Sequence, residues 1–181
     1  MNRGNSEETT RHNSRGRELL DEAVRIEEFF REHAEELAGI RKTAQEVRVR
    51  VRAVDPFIER HSSEVCPRCR KPCCIHRHAY YNLDDLIYLS ALGLKPHAYD
   101  CREDTEPCQF LSAGGCKLAR EVRPSGCNWY FCESLFSRME ETSGDAYKEF
   151  DDDLQELAGL WMELISEFRA IFRQSTGYEL G

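Results

Sequence analysis

Residues 39–59 read GIRKTAQEVRVRVRAVDPFIE, and two hydrophobic periods compete within them. The run VRVRVR at 47–52 alternates every second residue, as an edge strand would. A wider window gives a different period. From Leu19 onward the apolar or neutral positions fall in steps of four and three: Leu19, Ala23, Ile26, Phe30, His33, Leu37, Ile40, Ala44, Val47, Val51, Val54 and Ile58. Steps of that kind line one face of a long helix. The longer pattern predicts a helix over 16–62. Asp55-Pro56 can end one helix and open another, with aspartate at the N-cap and proline in the first turn, so a kink or restart is expected at Pro56.

The far end of the chain repeats the pattern. Phe150, Leu154, Leu157, Trp161, Leu164, Phe168 and Ile171 recur in the same steps. They predict an acidic amphipathic helix over 143–176, with Ser143 or Asp145 as cap and Gly177 as stop. Neither apolar face is narrow enough to leave in water. The two helices should pack against each other, against the middle segment or against a second copy, as core rather than as a dedicated coiled-coil surface. The expected fold is mainly α: a small irregular cysteine-rich domain over 63–140, flanked by two long amphipathic helices, after a disordered tail over 1–15 too polar to offset its ordering entropy.

A chain of 181 residues with 40% hydrophobic and 32% charged residues should fold for most of its length. Its first 18 residues lack the apolar core of a secretory signal. The longest apolar run, LAGLWM at 157–162, falls far short of the roughly 18 residues of a membrane span. A cytoplasmic location is expected, without membrane partners. Of the net charge of −8, nearly all sits on residues 141–181, which carry 3 basic and 10 acidic groups. No region shows the basic surplus that phosphate contacts demand, so nucleic acid is not an expected partner. An unknown protein partner, or self-association through the amphipathic helices, stays open.

All nine cysteines lie between positions 66 and 132. CPRCRKPCC at 66–74 places four of them in the spacing C-x2-C-x3-C-C. In a reducing compartment such crowding points to metal or redox chemistry before disulfides. The only helix expected in this segment is NLDDLIYLSALGL, capped by Asn82 or Asp84 and ended by Gly93. A core of that size rarely supplies more than about 3–5 kcal/mol. A thiolate-bound zinc ion contributes about 10–16 kcal/mol to folding, a disulfide about 2–4 kcal/mol. Metal is the stronger staple. Cys66 and Cys69 have the knuckle spacing of a zinc site, and Cys108, Cys116, Cys127 and Cys132 can supply the returning ligands. Arg68, Arg70, Lys71 and Arg77 can offset thiolate charge, and Trp129, Tyr130 and Phe131 can exclude water beside Cys127 and Cys132. Eight thiolates would suit two zinc ions; four would suit one [4Fe–4S] cluster, and the spacing matches neither common ferredoxin pattern.

These motifs resemble the cysteine-cluster family named for its CxxCxxCC-type motif, whose members are identified as zinc- or iron-chelating domains. The likeness runs through Cys66, Cys69, Cys73 and Cys74, then Asp84 or Asp85 in NLDDL, Cys108 in PCQFL, Cys116 in GGCKLA, Cys127 in RPSGC, and Cys132. It leaves Cys101 as the supernumerary thiol. The cysteine of the R-P-x-x-C motif is usually followed by arginine; here Asn128 follows, so no role of that arginine carries over. The resemblance implies metal chelation, zinc or iron–sulfur, and a related cysteine motif in flagellin lysine N-methylases adds methyl transfer as a remote alternative.

Three functions follow: a metal-binding protein, an iron–sulfur enzyme or electron carrier, and a thiol redox protein using Cys73-Cys74. The last lacks the strand-to-helix turn of a βαβ redox fold. Catalysis is left undecided, leaning against an enzyme. His76, His78 and His97 suit surface or supporting roles better than ligation, and His33 a place at the core edge. Asp84 and Asp85 read as helix caps, since no facing carboxylate makes an acid–base pair. Arg48, Arg50 and Arg52 read as solvated or paired with the acidic C-terminal helix.

Overall fold

The computed structural model describes residues 19, 21–68, 80–98, 108–113, 115–142 and 144–180. The expected N-terminal tail, Cys69, Cys73, Cys74, Cys101, His76, His78, Arg70, Lys71, Arg77 and Ser143 lie outside them. The chain is mainly helical. A first helix, α1, covers 21–32; residues 33–37 turn, and α2 then runs over Ala38–Val65. The cysteine region carries α3 (Leu83–Ala91), a two-stranded hairpin of β1 (Leu111–Ser112) and β2 (Gly115–Cys116), α4 (Gly126–Trp129) and α5 (Glu133–Glu140). The last helix, α6, spans Gly144–Thr176.

The four–three stripe settles the period of α2. Ile40, Ala44, Val47, Val51, Val54, Ile58 and His61 are buried in unbroken phase, while Val49 of the VRVRVR run is 62% exposed. Pro56 sits inside the helix and neither ends nor restarts it, contrary to the expectation at Asp55-Pro56. A mid-helix proline costs about 3 kcal/mol. Keeping Val51, Val54 and Ile58 on the buried face returns about 1.5–3 kcal/mol each, and that sum is larger.

The interruption falls instead at 33–37, in a sequence of good helix formers. Its cause is tertiary. The Arg41 guanidinium donates to the Phe30 carbonyl at the end of α1 (3.2 Å) and to the Ala91 carbonyl at the end of α3 (3.1 Å), and lies 5.1 Å from the Phe30 ring centroid. One cation thus satisfies two helix C-termini, where the helix dipole favours positive charge.

Helix α6 runs antiparallel to α1 and α2. Tyr178 donates to Glu22 (3.1 Å), Phe30 stacks on Phe168 (4.9 Å between centroids), and Arg50 reaches Asp153 and Glu156 (3.0 and 2.7 Å). Phe57 stacks on Phe150 (4.3 Å). On α6 Phe150, Leu157, Leu164 and Phe168 are buried as expected, Ile165 and Phe172 join them, and Leu154, Trp161 and Ile171 are only partly buried. A seven-residue repeat drifts by about 20° per repeat on a straight helix, and this stripe drifts with it. Gly177, at φ 69°, closes the helix through its N–H to the Arg173 carbonyl (2.8 Å).

Helix α3 forms as the sequence predicts. Asn82 accepts from the Asp85 N–H and Asp85 accepts from the Asn82 N–H, both at 2.9 Å, a reciprocal cap. At the other end Gly93 takes φ 69°, and the N–H groups of Gly93 and Leu94 reach the carbonyls of Ser90 (3.0 Å) and Leu89 (2.8 Å). Leu86, Ile87, Tyr88 and Leu89 are buried in the same hydrophobic cluster as the stripes of α1, α2 and α6. The middle segment therefore leans on the helical frame for its core, and the apolar faces of α2 and α6 meet inside one chain. Among the described residues no helix is long and apolar enough to cross a membrane.

Candidate metal centre

Five of the eight proposed ligands are described, and all five are half-buried. Cys66 opens a 3-10 turn (Cys66–Arg68) that continues from α2, its N–H bonded to the Ser62 carbonyl. Cys108 begins the turn into the hairpin, its carbonyl accepting from the Leu111 N–H (2.9 Å). Cys116 stands on β2 opposite Leu111. Cys127 lies on α4, its N–H bonded to Pro124 (2.9 Å), and Cys132 caps α5 through its carbonyl. Cys108, Cys116, Cys127 and Cys132 are free thiols.

The hairpin and α4 bring three of these together. The Cys127 thiol is pushed up to about 12, chiefly by burial and also by Cys116 and Cys108, against the opposing pull of Arg123 and Arg120. Three thiols from three local elements are thus within electrostatic reach of one another. Tyr81 is part of the same neighbourhood: burial pushes its hydroxyl up to about 12, Cys127 and Cys116 add to the effect, and the hydroxyl donates to the Val122 carbonyl (2.7 Å). Cys132 enters none of these interactions and packs with Phe131 and Trp129 against the main core. Among the described residues no three Cys, His, Asp or Glu side chains already converge as a metal-holding group.

The helix that leads into Cys66 borders the hairpin. Gly115, at φ 102°, is so near α2 that a Cβ there would lie 3.7 Å from Glu59 Oε1. Cys66 follows Glu59 by two helical turns, roughly 10 Å along the axis.

The expected aromatic wall is arranged otherwise. Trp129 faces Trp161 (6.2 Å) and Phe131 faces Phe150 (6.0 Å), so both anchor the region to α6, while Tyr130 is exposed. Tyr81 is the aromatic beside the thiols. The His97 ring lies 5.8 Å from Phe110 and stays exposed. His33 is half-buried, stacked on Phe29 and bonded to Glu36 (2.9 Å). Arg50 pairs with α6 as the charge pattern suggests, but Arg48 and Arg52 both donate to Glu121, which they hold down at about 2.

Two side chains organise the site beyond what the sequence signalled. Asp85 is 2% exposed; besides capping α3, its second oxygen accepts from the Ser125 N–H (2.8 Å), tying α3 to the RPSGC turn that carries Cys127. Burial pushes its carboxyl up, against the pull of these N–H donors. Arg120 is 3% exposed, with Asp55 and Glu59 of α2 on one side and the Cys127 carbonyl and Asn128 on the other. Asn128 is itself buried, and its Oδ1 lies 3.5 Å from Arg120 Nη1.

No protein-family model matches the chain, and none of the curated proteins or solved structures compared with it does either.

Proposed function

We propose that the chain is a metal-binding protein whose Cys66, Cys69, Cys73, Cys74, Cys108, Cys116, Cys127 and Cys132 hold zinc or an iron–sulfur cluster of the [4Fe–4S] type. The observation that carries the reading is the juxtaposition of Cys108, Cys116 and Cys127, from three elements, in a half-buried place. A thiol that resists ionisation, as Cys127 does, needs a cation to become a thiolate, and a bound metal deprotonates its thiols outright. Catalysis is no part of the proposal. The redox alternative rests on Cys73-Cys74, which lie outside the described residues. Metal thiolates of this kind persist in a reducing compartment, in keeping with a cytoplasmic location. Because the stripes of α2 and α6 are buried against each other, self-association through them is not required.

The test is one anaerobic preparation, read by elemental analysis and absorption. Stoichiometric zinc with no visible colour, or iron with sulfide and a broad visible band, is the expected outcome. Protein that takes up neither under anaerobic or aerobic expression overturns the proposal.

A further inference from the structure

We propose that Arg120 is the positioning residue of this metal centre, a buried clamp that holds the Cys127 turn against α2; the inference rests on the metal-binding reading. Arg120 belongs to a short 3-10 turn (Arg120–Val122) and is 3% exposed. Its Nε donates to Asp55, and its Nη2 lies 3.5 Å from Glu59 Oε2, so two carboxylates one helical turn apart hold one edge of the guanidinium on α2. Its Nη1 reaches the Cys127 carbonyl at 3.4 Å and Asn128 Oδ1 at 3.5 Å. The four partners stand on two elements that no run of backbone joins directly. Glu59 Oε1 would also lie 3.7 Å from a Cβ on Gly115, the residue before Cys116, so one of the two carboxylates that hold Arg120 borders the hairpin as well. The α4 helix is only four residues long and cannot fix the Cys127 backbone by its own hydrogen bonds. A planar fork with donors on two edges can do this, and a lysine ammonium cannot.

Two carboxylates more than offset the guanidinium charge, so its contribution is geometric more than electrostatic. That distinction is testable with cobalt(II) alone as the probe, titrated into reduced, metal-free full-length protein and its Arg120→Lys and Arg120→Met variants. Residues that orient ligands from outside typically change metal affinity by roughly 10–100-fold. Both variants are expected to lose cobalt affinity by that factor, with weaker and shifted thiolate charge-transfer bands and unchanged far-ultraviolet ellipticity. Affinity within about twofold of the wild type and unchanged bands in both folded variants overturn the clamp, as does full rescue by lysine, which would mark Arg120 as a mere counter-charge. Should Arg120→Met fail to fold, Asp55→Asn combined with Glu59→Gln loosens the same fork from the half-exposed side, and it is expected to move affinity and spectrum in the same direction. A wild-type chain that binds no cobalt overturns the metal reading itself, and this inference with it.

Discussion

Along α1, α2 and α6 the buried side chains are Phe, Ile, Leu, Val and Ala, apart from His61 near the end of α2, and Phe30, Phe168, Leu157 and Val47 are among those sealed from solvent. Among the described residues between Cys108 and Cys132 the buried side chains include Arg120, Asn128 and Ser125, with Leu118 and Pro124 as the apolar ones. The first region is held by area removed from water, which tolerates changes of pH, salt and ligand. The second is held by hydrogen bonds and ion pairs, each of which is costly to leave half-made. The frame should therefore fold without a metal, and the cysteine region should be where metal, acid and substitution are felt.

The largest expected effect attacks the frame. Phe168→Ala opens a void between Phe29, Phe30 and Phe172 and should cost about 3–5 kcal/mol by urea unfolding, with cobalt affinity of the folded protein unchanged. A parallel loss of metal binding would erase the separation between the two regions. Next comes Asp85→Ala, which strands the buried N–H of Ser125 and uncaps α3. We expect a loss of about 2–4 kcal/mol, accompanied by weaker metal binding, in contrast to Phe168→Ala. Pro56→Ala should act in the opposite direction and raise stability by about 1–3 kcal/mol, since it restores a helix N–H in a helix that already runs straight through. The smallest effect is at Glu121. Its folded pKa is depressed to about 2, so its ion pairs stabilise the protein above the ordinary carboxylate range, and that stability is lost as pH falls from about 4.5 through 2. Glu121→Gln should cost about 1 kcal/mol at neutral pH and flatten that acid limb in a pH series of unfolding curves.

The period of the two long stripes made the frame legible, since every apolar position of the α2 stripe from Ile40 to Ile58 is buried where the spacing places it. Asn82 and Gly93 marked α3 because capping and left-handed turns have local chemistry. The break at 33–37 was not legible, because its cause, Arg41, acts on carbonyls 11 and 50 residues away. Pro56 misled for a related reason: a local penalty was set against packing that only the assembled helix pair provides. At the site, the cysteines announced themselves by type and spacing. Arg120 did not, since nothing in LAREVRP distinguishes a buried guanidinium from a solvated one, and Asp85 showed its cap but not its reach to Ser125.

His61 lies five residues before Cys66 and is the last position of the α2 stripe. Its Nδ1 stands 2.7 Å from the Phe57 carbonyl, which can only accept, so that nitrogen carries a proton. Its Nε2 stands 2.7 Å from the Thr142 hydroxyl, which donates to it when the ring is neutral. The backbone thereby selects one tautomer, and both ring nitrogens are already engaged. An imidazole just ahead of Cys66, the first of the proposed ligands, is thus held through both nitrogens, and nitrogen chemical shifts of the ring should report the same tautomer before and after cobalt is added.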